Sequence, residues 1–548
     1  MTKMSGGQMV VEVLQRENVE KAFCVPGESY LGVIDSLYEH PDIDLIATRH
    51  ESGAAFMAEA YAKATNQVGV CMATRGPGAT NLSIGLHTAM QDSTPVVALI
   101  GQVERPFLGK EAFQEVDFAA YFKHLCKWAV EIDTVERIPE LLHQAFFTAR
   151  SGRPGPVVVS LPHDMLEDVA TYDESKPMTY NAPTVDKEVA EQIVHQLSEA
   201  KRPIMIAGGG VLLSEAELEF RTFSEQLQIP VVSSFRRFNV LPNEHDHYAG
   251  WLGFGANPKL ITTIQEADVV LVMGTRLSQV ASLDYTLLHP NKQTIIQIDI
   301  ASSTIGKAFP VDFAVISDIK KFLQTSLPLI KRQQSSEKKQ YLQKVHEQYL
   351  THSTIQKKTE HTNYASLNNV MEHMVDIIPE NSITTSDAGN FYGWLARYFR
   401  FSHTKKYIGP TSGAMGYGFP AALGAKVGRP NETVISFSGD GGFIMTMQEL
   451  ETAVREQIHV IAIVVNNNMY GTIRAHQEKQ FPNRIMATSL TNPSFSKLAN
   501  LYGCDGVTVK DHVSFRNVFI EALESKSNVP FVIEVQTNPD ILSVMEEV

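Results

Sequence analysis

The sequence predicts an α/β protein built from three doubly wound, parallel-sheet units. Three observations carry that expectation. Short β-branched runs alternate with helical patterns, and glycine-containing turns join them, as βαβ units and parallel sheets require. The 548 residues are too many for one core. Two polar stretches, 170–184 and 331–364, interrupt the alternation and leave units at 1–170, 185–330 and 365–548.

In the first unit Ile43–Ala47 reads as a strand and the alanine-rich Ser52–Ala64 as a helix. Gly69–Ala73 is then a strand, Ala79–Met90 a helix and Pro95–Ile100 a strand. Ala170–Thr184 is polar, carries Pro177 and Pro183, and reads as a linker. The second unit offers strands at Pro203–Ala207, Pro230–Ser233, Val269–Met273 and Thr294–Ile300. Lys331–Thr362 is rich in Gln, Lys, Glu and Ser, the composition of a solvated helix plus a connector. In the third unit Val434–Phe437 reads as a strand. Met447–Arg455 reads as a helix with Leu450 and Val454 on one face, and His459–Val465 as the next strand. The first and third units share a layout: a Gly-rich turn after a strand, then a helix of small residues.

Chemistry concentrates at the ends of the last two strands. Gly439-Asp440-Gly441 closes one, Asn466-Asn467 closes the other, and Asn467 lies 27 positions after Asp440. Crossovers of this kind are right-handed in nearly every case. Both clusters are therefore expected at the carboxyl ends of neighbouring parallel strands, in the crevice where open α/β sheets bind ligands. Asp440 offers a carboxylate, Asn467 a carbonyl oxygen, and the backbone carbonyl of Met469 a third oxygen. Three oxygens with open positions suit magnesium, which completes its octahedron with phosphate oxygens and water. Gly439, Gly441 and Gly442 let the backbone approach a ligand, and the following helix N-terminus favours an anion. The reading is a magnesium-bridged diphosphate site. A plain βαβ unit would be preferred for a lone Gly-Asp-Gly; the two clusters at this spacing reverse that preference.

Composition excludes several classes. The chain is 43% hydrophobic and 20% charged, ordinary values for a globular protein. Its net charge of −14 argues against a nucleic-acid surface and gives no sign of an anionic membrane partner. The longest apolar runs, such as Val460–Val465, are too short to span a bilayer. Met1–Val10 is polar and lacks the apolar core of a signal peptide. Cys24, Cys71, Cys126 and Cys504 form no Cys-x-x-Cys pair, so reduced thiols in a cytoplasmic protein are expected.

The paired motif resembles the cofactor motif of the thiamine-diphosphate-dependent enzymes. Thr48-Arg49-His50-Glu51-Ser52-Gly53-Ala54-Ala55 is similar to a block of the acetolactate synthase group within them. The resemblance covers nearly the whole chain and implies pyrimidine-binding, central and diphosphate-binding domains. It implies thiamine diphosphate and magnesium, with the metal on Asp440, Asn467 and the Met469 carbonyl, and Tyr470 and Gly471 beside them. Glu51 would be the acid beside the aminopyrimidine ring; its place between a strand and an Ala-rich helix suggests burial, which suits a proton relay. Met415, in Gly413-Ala414-Met415-Gly416-Tyr417-Gly418, would bend the cofactor, and the Gly413 carbonyl would hold its 4′-amino group. Pro26, Gly27, Thr74, Gly76 and Asn81 would line the pyrimidine side. The resemblance also implies a homodimer or homotetramer with the active site at the subunit interface. Glu51 would come from one chain, and Met415, Asp440 and Asn467 from the other.

Enzymes of this kind attack a carbonyl, usually of a 2-oxo acid, release carbon dioxide and then differ in the fate of the adduct. Gly101-Gln102-Val103 and Lys110–Asp117 resemble an acetolactate synthase segment. Lys110, Phe113 and Gln114 would line the substrate pocket; loop packing is the plainer reading of Phe113 and Gln114. The adjacent-histidine pair of pyruvate-type decarboxylases is absent from this segment. The expected reaction is therefore decarboxylation of pyruvate or a related 2-oxo acid, then carboligation to a second carbonyl. The alternative is a non-ligating decarboxylase that releases an aldehyde. A catalytically silent binding subunit should have lost Glu51, Asp440 or Asn467, and all three are present.

Three departures from the group's pattern bear on substrate and cofactor. Glu28 follows Pro26-Gly27, where synthases carry a small residue; it is either a proton donor in the pocket or a solvated turn residue. His476 stands where biosynthetic synthases carry a Trp that favours 2-oxobutyrate; an imidazole there would suit a more polar or anionic acceptor, and a surface-loop histidine is the alternative. Arg474 reads as a buried structural ion pair in preference to a contact with an acceptor carboxylate. The central unit lacks the Arg-Phe-Asp-Asp-Arg block of FAD-containing synthases and carries Gly274-Thr275-Arg276-Leu277-Ser278-Gln279 instead. Gly208-Gly209-Gly210 and Asp299 remain, and Arg276 keeps the position of an arginine that contacts cofactor or substrate. The balance is against FAD.

Overall fold

The computed structural model describes residues 2–172, 176–331, 335–357 and 364–546. Three six-stranded sheets carry the fold, and every strand pair within them is parallel. Their inner strands are buried almost throughout, whereas edge strands such as Trp128–Glu131 and Phe313–Ile316 are only partly covered. All seven residues of Val96–Gln102 and all five of Val269–Met273 are buried. Continuous Val/Ile/Leu runs of this kind are what sheets covered by helices on both faces demand.

The first sheet runs Asp44–Ala47, Lys21–Cys24, Gly69–Thr74, Val96–Gln102, Pro156–Pro162, Trp128–Glu131. The third runs Lys405–Ile408, Ser382–Ser386, Thr433–Gly439, Ile461–Asn466, Phe531–Gln536, Asp505–Val509. Counted in chain order within each sheet, both read 2-1-3-4-6-5, so the shared layout extends to topology. The central sheet is different. It runs Tyr248–Trp251, Val231–Ser233, Ile204–Ala207, Val269–Met273, Thr294–Asp299, Phe313–Ile316, the 3-2-1-4-5-6 order of a dinucleotide-type sheet.

The structure corrects several boundaries. The stretch read as a linker from Ala170 begins inside a small sheet, because Val169–Thr171 pairs antiparallel with Lys3–Ser5; residues 173–175 lie outside the described chain. The helix expected within Lys331–Thr362 is present as Ser336–His352, 17 residues capped by the Ser335 hydroxyl; residues 332–334 and 358–363 lie outside the described chain. The helix expected from Ala79 starts at Arg75. Pro77 falls in its first turn, where a missing N–H removes no helical hydrogen bond. The helix expected over Met447–Arg455 is the second of two short helices, Asp440–Thr446 and Glu449–Arg455.

The first and third units share one core. The helix Glu51–Thr65 is buried along almost its whole length, and it lies against the helix Gly418–Gly428 of the third unit. A Cβ on Gly424 would stand 2.1 Å from the Met57 carbonyl oxygen, and one on Gly85 would stand 2.2 Å from the Ala55 Cβ. Small residues on all three helices therefore set how closely they pack. The central and third units share a second core, in which Phe238 meets Phe401, Tyr407 and Tyr392. No helix among the described residues is long and apolar enough to cross a membrane.

Candidate active site

A cavity of about 260 Å³ opens in the third unit where Thr433–Gly439 and Ile461–Asn466 end. The two strands pair directly, with Gly439 opposite Val465. Asp440, Asn467, Met469, Tyr470 and Gly471 line the cavity, with Gly413, Met415 and Gly439–Gly442 on its walls and Phe391 and Trp394 among its apolar residues. The glycines are there for space. A Cβ on Gly441 would sit 2.7 Å from the Tyr470 ring, and one on Gly442 would sit 2.7 Å from Asp387 Oδ2. Gly413 holds a left-handed φ of +72° and leaves open space around its Cα.

Asp440 is 3% exposed. Its Oδ1 accepts the Gly441 N–H at 2.9 Å, and its Oδ2 accepts the Asn492 amide at 2.7 Å. Burial pushes its carboxyl above the ordinary carboxylate range, while the Gly441 N–H and the Asn492 amide pull the other way. The two asparagines divide their labour. Asn466 turns into the protein, accepts from Asn468 N–H and Asn492, and donates to Glu534 at 2.8 Å. Asn467 faces the cavity. Asn468 takes a left-handed φ of 56°, a conformation Asn tolerates, and this turns the chain toward Met469. Hydrogen bonds from Tyr470 N–H to Thr488 and from Leu490 N–H to Asn468 pin that turn.

A second cluster forms on the first unit. Glu51 opens the helix Glu51–Thr65 and is 9% exposed. Its Oε2 accepts the Asn81 amide at 2.9 Å, and its Oε1 lies close enough to Gly78 that a Cβ there would stand 3.1 Å away. A Cβ on Gly27 would meet the Thr74 side chain at 2.4 Å. Gly76 N–H donates to the Gln114 carbonyl at 2.9 Å. Gln114 has a left-handed φ of 66°, and its Oε1 is buried without a hydrogen-bond partner.

Residues 4–121, 190–325 and 387–535 match the N-terminal TPP binding, central and C-terminal TPP binding domains of thiamine pyrophosphate enzymes. The chain is 32% identical to the probable acetolactate synthase large subunit of Methanocaldococcus jannaschii, over 98% of this chain and 92% of that one. It is 32% identical to the acetolactate synthase isozyme 3 large subunit of Escherichia coli, over 96% and 94% of the two chains. For the isozyme 2 large subunit of the same organism the values are 33%, 93% and 92%. The chain belongs to the acetolactate synthase large-subunit family of thiamine pyrophosphate enzymes.

The family implies thiamine diphosphate, and the residues fit it. The cavity is lined by oxygen donors around a buried carboxylate, by apolar side chains and by the open backbone of Gly413. Among the described residues no group of three or more His, Cys, Asp or Glu side chains could hold a metal. Asp440, Asn467 and Met469, which line the cavity, offer one carboxylate and neutral oxygens.

Several site residues expected from the sequence stand elsewhere in the single chain. Glu51, Gln114 and Phe113 do not line the Asp440 cavity. Phe113 is 74% exposed, and Glu28, Lys110 and His476 are exposed as well. Arg474 pairs with Glu478 one turn along its helix, so its ion pair lies near the surface and is not the buried one expected. Arg276 stands in the central unit, apart from the Asp440 cavity. The strand Val269–Met273 delivers it to the crevice of the central sheet, to a separate cavity of about 380 Å³, where it donates to the Gln91 carbonyl. Asn492, Asn390, Glu534 and Glu449 were not foreseen. Asn390 lines the cavity and is tied to Thr472 and to the Leu542 carbonyl. The Asn492-Pro493 pair was the one local signal among them.

Proposed function

We propose that this chain is a thiamine-diphosphate- and magnesium-dependent enzyme that decarboxylates pyruvate or a related 2-oxo acid and ligates the acyl unit to a second carbonyl. The observation that carries the reading is the convergence of Asp440, Asn467, Met469 and Met415 on one cavity. The relatives' name, acetolactate synthase, supports carboligation over release of an aldehyde. Bound thiamine diphosphate supplies a carbon nucleophile and a sink for the electron pair left by carbon dioxide.

The residues of the chain do the rest. Asp440, Asn467 and the Met469 carbonyl hold magnesium, and Gly439–Gly442, Tyr470 and Gly471 cradle the diphosphate beside it. Met415 and the Gly413 carbonyl fix the shape and orientation of the cofactor. Glu51, braced by Asn81, moves a proton at the pyrimidine ring, with Pro26, Gly27, Thr74 and Gly76 around it. The bare, buried Oε1 of Gln114 and its left-handed backbone fit a side chain held ready for a ligand, and Gln114 positions the acceptor. Lys110, Phe113, Glu28 and His476 form the acceptor side of the pocket, and Arg276 keeps a structural place in the central unit.

The active site is completed by a second copy of the chain. The Glu51 and Asp440 clusters do not share a cavity in one chain. Large apolar side chains stand exposed near both: Phe107 and Phe113 on one side, Ile473, Phe481 and Met486 on the other. A homodimer, or a homotetramer made of two, buries them. The four free cysteines are buried, and burial pushes the Cys24 thiol up to about 11, which fits reduced, inert thiols in a cytoplasmic protein. The central unit lacks the Arg-Phe-Asp-Asp-Arg block, and on that ground the purified protein should lack the visible flavin bands.

Incubation with magnesium, thiamine diphosphate and 13C-labelled pyruvate, followed by NMR, tests the proposal. Labelled 2-acetolactate is the expected product. Acetaldehyde as sole product would replace the ligase by a decarboxylase and give Glu28 the proton-donor role.

A further inference from the structure

The turn that presents Glu51 is held by a carboxylate from another unit. Glu449 opens the helix Glu449–Arg455 of the third unit and is fully buried. Its Oε1 accepts the His50 N–H at 3.1 Å, and its two oxygens share the Arg49 N–H at 3.3 and 3.1 Å. Thr452 Oγ1 donates to Oε2 at 2.6 Å. The ligands of this carboxylate are thus two backbone N–H groups and a hydroxyl. Gly53 belongs to the same arrangement, because a Cβ there would stand 2.4 Å from Oε1.

The two N–H groups belong to the residues immediately before Glu51. The first N–H groups of a helix have no partner within it, and an anion at that end is favoured by the helix dipole. His50 already caps from within, its Nδ1 accepting the Ser52 N–H at 3.1 Å. Glu449 adds an outside brace that fixes the entry of the chain into the helix, and with it the direction in which the Glu51 side chain leaves. The brace also adjoins the Asp440 cluster of its own chain, while Glu51 serves the cofactor held by the second copy in the proposed assembly: Asp440 opens the helix Asp440–Thr446, which leads directly into the helix headed by Glu449.

We infer that Glu449 is a positioning residue that sets Glu51 against the cofactor. The inference rests on the proposed role of Glu51 in proton transfer. Hydrogen–deuterium exchange at the thiazolium carbon of bound thiamine diphosphate reads that transfer without turnover. Cofactor affinity is read separately by tryptophan fluorescence, since Trp394 lines the cavity. In the full-length protein with magnesium, Glu449→Ala should slow the exchange by on the order of tenfold to a hundredfold, the usual effect of a small misplacement, with cofactor affinity unchanged. Glu449→Gln keeps one oxygen for both N–H groups and should recover most of the rate. Glu449→Asp keeps the charge but withdraws the oxygens, so it should be slow, and it serves if the alanine variant does not fold. Wild-type exchange in the Ala and Asp variants, with Glu51→Gln slow, would overturn the inference and leave the role of Glu51 intact. Parallel losses of exchange and affinity that Gln does not recover would also overturn it, since they mark general packing. Wild-type exchange in Glu51→Gln would remove the proton-transfer reading itself, and this inference with it.

Discussion

Asp440 is a charge kept in a place that does not favour it. Burial raises its carboxyl, and a Gly441 N–H and an Asn492 amide offset that only in part. A divalent cation would reverse the balance. Two effects of Asp440→Asn should therefore have opposite signs. Without cofactor the variant should melt at the wild-type temperature or above, because a neutral amide replaces a poorly solvated carboxylate. With magnesium and thiamine diphosphate the wild type should gain stability by mass action, and the variant should gain little, its affinity down by about tenfold to a hundredfold. Melting curves with and without the pair read both effects; a full ligand-induced shift in the variant would remove Asp440 from the metal. Glu51 is different, since it touches the reacting end and not the anchor. Glu51→Gln can still meet the Asn81 amide, so fluorescence should show cofactor binding intact, while turnover drops by about a hundredfold to ten-thousandfold. Unchanged turnover would end its catalytic assignment.

At the scale of elements, strands were the legible part. Val269–Met273 was placed to the residue because a strand buried on both faces leaves an uninterrupted apolar run. The helix Asp440–Thr446 was missed because Gly441 and Gly442 each cost about 1 kcal/mol of helix propensity. It forms because only glycine leaves room for Tyr470 and Asp387 at those two positions. The candidate site divides the same way. Asp440 and Asn467 were visible through their spacing, whereas the partners that hold the site lie far off in sequence. Asn492 meets Asp440 across 52 positions and Glu449 meets Arg49 across 400, and no local pattern announces such contacts. His247, just before the strand Tyr248–Trp251, shows how an element junction can carry pH dependence. Its Nδ1 meets Ser224 Oγ at 2.7 Å at the end of the helix Glu217–Leu227. Burial pushes the imidazole down from 6.5 to about 4; His245 adds to that, and Glu225 and Asp246 oppose it. Between those two values the unfolded chain holds a proton that the folded chain refuses. Stability is thus complete above 6.5 and falls as pH drops toward 4, by up to about 3 kcal/mol. Denaturant titrations of His247→Gln should show a shallower loss across that window; a slope equal to wild type would count against this residue as its source.

Across the whole molecule the three units are tied together at one buried carboxylate. Asp92 ends the helix Arg75–Asp92 of the first unit, and its side chain is fully buried. It accepts from Lys63 of its own unit at 2.8 Å, from Arg237 of the central unit at 2.7 Å and from the Thr411 hydroxyl of the third at 2.6 Å. Lys63 also meets Glu59, which takes the Tyr417 hydroxyl at 2.6 Å, two residues beyond Met415. The loop 411–417, which carries Gly413 and Met415, is thereby fastened at both ends to the first unit. Burial alone would raise the Asp92 carboxyl, but the Lys63 ammonium and the Arg237 guanidinium outweigh it and hold the group well below the usual carboxylate range. A depressed folded value means that its stabilisation is present above the unfolded value of 3.8 and is lost only as pH falls below it. Asp92 therefore contributes nothing to the acid slope expected from His247. Asp92→Asn removes the charge that two buried cations share, and breaking a buried ion pair this way costs about 3–5 kcal/mol. The cost should appear equally at pH 5 and pH 8, since wild-type Asp92 is ionised at both. It should also appear as a loss of cooperativity, because the same group joins all three units: calorimetry should show one transition for the wild type and a broadened or divided one for the variant. A single sharp transition at the wild-type temperature would show that the shared apolar cores, and not this carboxylate, hold the three units together.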